Sequence, residues 1–185
     1  MAEENNITSK VFISYSRKDK EFVRKLNDAL DASSVDAWVD WEGIELAADW
    51  METITSAIQK SDAFLFVISP DSLASNVCAS ELELALQNSK KLIPILFREP
   101  TKNSQMHEKL AATNWVYLRE QDNFEETIPR LIDAVNTDLE WIRQHTRLLE
   151  RATEWEQKSK LPPPKAVALA CCAWKARSYS WLLFE

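Results

Sequence analysis

The sequence predicts an α/β protein built on a five-stranded parallel sheet with helices on both faces, and three observations carry that reading. Residues 10–136 alternate between apolar runs and amphipathic helical stretches, the pattern of strands joined by crossover helices. The run AFLFVIS at 63–69 is apolar on both of its faces, as a central parallel strand has to be. The whole chain holds a single glycine, Gly43. Folds that cradle phosphates on glycine-rich turns need several positions without a Cβ, so dinucleotide-binding dehydrogenases, P-loop NTPases and protein kinases are excluded.

Each element has its own signal. KVFISY at 10–15 is the first strand, and Ser16 with Asp19 makes a capping-box-like start to a helix that lines up Phe22, Leu26, Ala29 and Leu30. VDAWVD at 35–40 alternates as a second strand. Asp49 with Glu52 reads as an N-cap pair for a second helix, with Trp50, Ile54, Ala57 and Ile58 on one face. After the strand at 63–69, Ser75 or Asn76 caps a third helix whose stripe is Cys78, Leu82, Ala85 and Leu86. KLIPILF at 91–97 is a fourth strand. Its Pro94 has no N–H to give, so a bulge or an unpaired side is expected there. A short segment at 104–110, a strand NWVYL at 114–118 and a helix near 124–136 complete the sheet, with Pro129 read as the first turn of that last helix.

Length and composition bound the rest. With 185 residues the chain suits one domain plus an extension. No apolar run approaches the roughly 18 residues of a membrane span, so no membrane is expected as a partner. A net charge of −7 disfavours nucleic acid. The start MAEENNITSK lacks a basic stretch followed by an apolar one, so a cytoplasmic protein is expected and residues 1–9 read as a disordered lead. None of the three cysteines lies at metal-ligand spacing with His or another Cys, so no metal site is expected. Residues 137–160 read as a helical extension or linker, carrying Leu139, Trp141, Ile142, Leu148 and Trp155. Residues 161–185 change character, with three of the seven prolines and a local charge of +2. This tail reads as a non-native scar or a truncated start of something larger, with a short docking segment as the alternative.

In open parallel sheets, ligands bind beyond the carboxyl ends of the strands. The candidates are therefore Ser14, Tyr15, Ser16 and Arg17 after the first strand, Asp40, Trp41, Glu42 and Gly43 after the second, and Ser69 to Ser72 after the third. The third helix then opens as SNVCASELELA. Glu81 lies three residues from Cys78 on the same helix face, so it is expected to point toward the strand ends, while Glu83 faces water. As a helix carboxylate Glu81 is expected to be exposed and to contribute little to stability. Cys78 reads as a small buried thiol, because His107 and His145 fall in regions placed away from this edge. A phosphorylated receiver domain is disfavoured, since the acidic pair that would hold Mg²⁺ after the first strand is replaced by Ser14 and Tyr15.

The ordered blocks VFISYS, WVDWEGI, FLFVISPDSLASNVCASELELA and LIPILF resemble a Toll/interleukin receptor (TIR) domain of the bacterial type, over about residues 9–136. The resemblance implies a flavodoxin-like fold, with residues 41–49 as a mobile loop. It implies a signalling module that self-assembles with other TIR domains, and in many members cleavage of NAD⁺ at the nicotinamide–ribose bond, with linear or cyclic ADP-ribose as product. NAD⁺ is then a substrate, and no cofactor is expected. The motif W-C-x-x-E reads here Val77-Cys78-Ala79-Ser80-Glu81, which assigns the catalytic role to Glu81 and departs from the family at Val77. The implied substrate-binding set is Ser14, Tyr15, Asp40, Trp41, Trp50 and Cys78. Innate immunity or anti-phage defence is the implied setting, with a sensor module elsewhere in a longer protein. The other function class is a non-catalytic TIR interaction module.

Overall fold

The computed structural model describes residues 9–40, 48–102 and 104–137, with the backbone alone at 48–50. All of them belong to the first of two units of the chain, Met1–Leu139. The expectations for residues 1–8, for most of the loop at 41–49 and for the extension and tail from 138 onward lie outside the described residues.

Five strands, β1 (Ser9–Ser14), β2 (Val35–Trp38), β3 (Ala63–Ile68), β4 (Lys91–Leu96) and β5 (Val116–Tyr117), form one sheet in the order β2-β1-β3-β4-β5. Every pairing is parallel. Among the described residues six α-helices accompany them: α1 (Lys20–Ala32), α2 (Ala48–Lys60), α3 (Pro70–Leu73), α4 (Asn76–Gln87), α5 (Glu108–Ala111) and α6 (Phe124–Asn136). This is the flavodoxin-like α/β fold that the sequence predicts.

The two-residue period of the strands sorts the core into two layers. Val11, Ile13 and Leu65 meet Val23, Leu26 and Leu30 of α1 and Leu131 and Val135 of α6 on one face. Phe12, Phe64, Phe66 and Ile68 meet Ile54 and Ile58 of α2 and Cys78, Leu82 and Ala85 of α4 on the other. β3 is buried at all six positions, because it lies inside the sheet with helices over both faces. Burying a side chain such as Phe64 in full stabilises the fold by roughly 1.5–3 kcal/mol.

Pro94 is accommodated as an unpaired side. Leu96 accepts from the Leu118 N–H, so backbone groups of that parity, Pro94 included, point toward β5. β5 reaches only Ile95 and Leu96, and the missing donor falls where there is no strand to receive it. With so few glycines available, α1 and α4 end on serines in the left-handed region, Ser34 at φ 60° and Ser89 at φ 52°.

Four local readings are corrected. Asp19 is not half of a capping box: Ser16 caps only the short 3-10 turn Arg17–Asp19, and Asp19 is buried and bonded to other strand ends. α2 begins at Ala48, which places Asp49 inside the helix rather than at its cap. A helix is missing from the prediction: Ser69 and Ser72 form a reciprocal capping box around Pro70, which makes α3 before Ser75 starts α4. Pro129 is internal to α6, because Asn123 accepts from the Glu126 N–H and starts the helix earlier.

Candidate functional site

The strand order reverses between β1 and β3, and the crevice beyond their carboxyl ends is where such sheets bind ligands. Ser14 ends β1, in register with Phe66 of β3. α4 starts at the same edge. Ser75 fixes that start by accepting from the Cys78 N–H, and the helical repeat then puts Cys78, Glu81, Leu82 and Ala85 on the face turned to the sheet. The outcome is a hydrogen bond of 2.6 Å from the Ser14 hydroxyl to Oε2 of Glu81.

Glu81 is buried, at 7% exposure, which overturns the expectation of an exposed carboxylate. Its place on the Cys78 face accounts for this, and Glu83, two residues on, is exposed as predicted. Burial raises its carboxyl to about 7; the Ser14 hydrogen bond opposes that rise and the negative charge of Asp40 adds to it. A group poised there changes charge near neutrality.

The other sequence candidates fall as follows. Tyr15 donates its hydroxyl to the backbone carbonyl of Asp40 at 3.0 Å, tying the end of β2 to that of β1, and its phenol is raised by burial and then by Asp40. The Asp40 carboxylate lies 3.7 Å from an Arg17 nitrogen. Cys78 is buried and its Sγ donates to the Tyr15 carbonyl at 3.3 Å. Burial raises this thiol above its usual range, which suits packing and not nucleophilic attack. Trp41 lies outside the described residues, and for Trp50 only its place in the first turn of α2 is described. Ser14, Tyr15, Asp40, Cys78 and Glu81 therefore share one edge of the sheet.

A cleft of about 120 Å³ opens beside Glu81, walled by Met51 and Ile54 of α2 and by Asn76, Val77, Ser80 and Leu84 of α4. Met51 and Val77 are 44% and 43% exposed and give it an apolar rim. A larger cleft of about 690 Å³ lies on the other flank of α2, against Asp36 and Trp38 of β2, and shares no lining residue with the first.

Sequence reasoning missed a second polar cluster on the same edge. Arg98, just past β4, bonds the carboxylates of Asp19 and Asp71, the latter at 2.8 Å. The Ser69 hydroxyl donates to Asp19 at 2.6 Å, and Lys18 reaches Asp71 at 2.6 Å. The signal was available, since the strand-end rule applies to β4 as it does to the first three strands. Among the described residues no group of His, Cys, Asp and Glu is placed to hold a metal ion, and no helix is long and apolar enough to cross a membrane.

A family model for the TIR domain matches residues 11–132. Among solved structures, the chain is similar to the TIR domain of the Toll-related receptor TRR-2 from the lower metazoan Hydra magnipapillata, at 25% identity and a TM-score of 0.54, covering 70% of this chain and 97% of that one. A prokaryotic SEFIR domain aligns at 21% identity and a TM-score of 0.53, over 70% of this chain and 93% of that one. A metazoan TIR-STING receptor from C. gigas, solved in complex with 2',3'-cGAMP, aligns at 23% identity and 0.52, over 68% of this chain and 38% of that one. No curated protein matches the chain.

Proposed function

The chain belongs to the TIR domain family and is a TIR-domain signalling module, and from that premise we propose that it hydrolyses NAD⁺ at the nicotinamide–ribose bond when its domains assemble. The observation that carries the reading is a buried carboxylate, Glu81, held by a serine at the switch point of the sheet and lining a cleft. In this reaction the bond from the ribose anomeric carbon to the pyridine nitrogen breaks and its electron pair leaves with nicotinamide, which becomes neutral. No proton donor to the leaving group is required. The sugar is left with oxocarbenium character, which a single carboxylate in a dry site can stabilise. Water then adds to the anomeric carbon and loses a proton, giving ADP-ribose.

Assembly enters because of size. Small-molecule sites occupy roughly 300–1,000 Å³, and the cleft beside Glu81 is about 120 Å³. A neighbouring domain is the expected source of the missing wall. Nicotinamide release per molecule should therefore rise steeply with protein concentration, or on fusion to an oligomeriser. A rate per molecule that stays flat from dilute to concentrated protein contradicts the assembly requirement, and no release at any concentration contradicts the activity.

The second reading is a non-catalytic interaction module, and Val77 favours it. The resemblance leads one to expect a tryptophan there as a stacking surface. Val77 is 43% exposed, so a larger ring has room. On the catalytic reading, Val77→Trp should raise kcat/KM several-fold, from a stacking gain of about 1 kcal/mol. Release measured on the variant tests this, and an unchanged rate would show that position 77 does not meet the substrate.

A further inference from the structure

We infer that Ser14 is a positioning residue for Glu81: its hydroxyl holds one carboxylate oxygen in place and keeps the group in its charged, substrate-ready form. The inference rests on the reading of Glu81 as the carboxylate that meets the ribosyl cation. Ser14 is 1% exposed, at the last position of β1, so it is out of reach of a substrate in the cleft, whose walls come from α2 and α4. The 2.6 Å bond crosses from strand to helix between two buried groups. A hydroxyl that donates to a carboxylate stabilises the ionised form, and with Oε2 so engaged the second oxygen is the one left for the sugar.

Burial and the charge of Asp40 work in the other direction. From the segments just past β1 and β2 come Tyr15, whose phenol is raised by burial, and Asp40, whose charge adds to the rise at Glu81. From α4 comes the buried thiol of Cys78, and from α2 the apolar Met51 and Ile54. Burial and Asp40 both favour the protonated acid, and the Ser14 hydrogen bond opposes them. At neutral pH the Ser14 hydroxyl therefore favours the charged form of Glu81 against burial and Asp40.

The test follows the Glu81 carboxyl carbon by NMR through a pH titration of the full chain, as wild type, Ser14→Ala and Ser14→Thr, alongside nicotinamide release over the same range. In Ser14→Ala the titration midpoint should move up. The acid limb of the pH–rate profile should move with it, giving roughly a tenfold loss of kcat at pH 7, a loss that shrinks as pH rises, with little change in KM. Ser14→Thr keeps a hydroxyl and should restore both midpoint and rate. A midpoint that stays put in Ser14→Ala overturns the inference, as does a rate loss equal at every pH. The NMR midpoint moves or stays whether or not the wild type cleaves NAD⁺, so failure of the catalytic reading is told apart from failure of the Ser14 role.

Discussion

Glu81→Gln is expected to cut NAD⁺ cleavage by about 10²–10³-fold while making the domain more stable at pH 8. The loss follows from removing a preorganised charge aimed at a developing cation, whose removal typically costs that much. The gain follows from linkage. Burial pushes the folded carboxyl up to about 7 from its ordinary 4.5, because it disfavours the ionised form. A group raised in this way contributes stability that is fully present below about 4.5 and is lost as pH rises through about 7. At pH 8 the wild type carries a penalty on the order of 3 kcal/mol, which a neutral amide of the same shape avoids while its oxygen still accepts from Ser14. Urea midpoints at pH 5 and pH 8 check the sign: the variant should lead at pH 8 and the gap should close toward pH 5. Glu83→Ala, at an exposed position one residue past Leu82, is the matched control and should change neither property. Full cleavage by Glu81→Gln would move the catalytic role to another residue.

Arg98→Ala should destabilise the fold by about 3 kcal/mol, through a cause unrelated to cleft chemistry. Asp19 has a side chain only 1% exposed, and its charge is met by Arg98 and by the Ser69 hydroxyl. Taking away the cation strands that carboxylate inside the protein, which is the costly way to break a buried pair. It also unties the ends of β1, β3 and β4 from one another, since Asp19, Asp71 and Arg98 follow those three strands. Asp19→Asn in the Arg98→Ala background removes the stranded charge and should recover part of the loss, and a double-mutant cycle by urea denaturation measures the coupling. A cost below about 0.5 kcal/mol for Arg98→Ala would mean that water replaces the guanidinium, as at an ordinary surface pair.

Much of this molecule is readable from residue order because it depends on period alone. The run at 63–68 is apolar at consecutive positions, which in a strand means burial on both faces, and β3 lies between β1 and β4 accordingly. The stripe Cys78, Leu82 and Ala85 marks the buried face of α4, and the same repeat carries Glu81 onto it. What period does not convey is how deep a residue on that face ends up. Glu81 is buried because Ser14, 67 positions away, lies over it with Met51 and Ile54 alongside, a fact of packing between elements distant in sequence.

The errors share that origin. Asp19 has the look of a capping residue by spacing, but an arginine beyond β4 and a serine after β3 offer it stronger partners than a helix N–H does. Pro129 has the look of a first turn, because proline is favoured there, but Asn123 and two acidic residues start α6 earlier and the helix tolerates the lost donor.

By itself, then, the sequence determined the class of fold, the run of strands and of the helices other than α3, and the face of α4 that bears Glu81, since these follow from hydrophobic period and from the chirality of parallel crossovers. Only the tertiary structure decided the protonation balance of Glu81, the partner that holds it, the size of the cleft beside it and the carboxylate–guanidinium cluster across three strand ends. Those depend on through-space distances of a few ångströms between residues far apart along the chain.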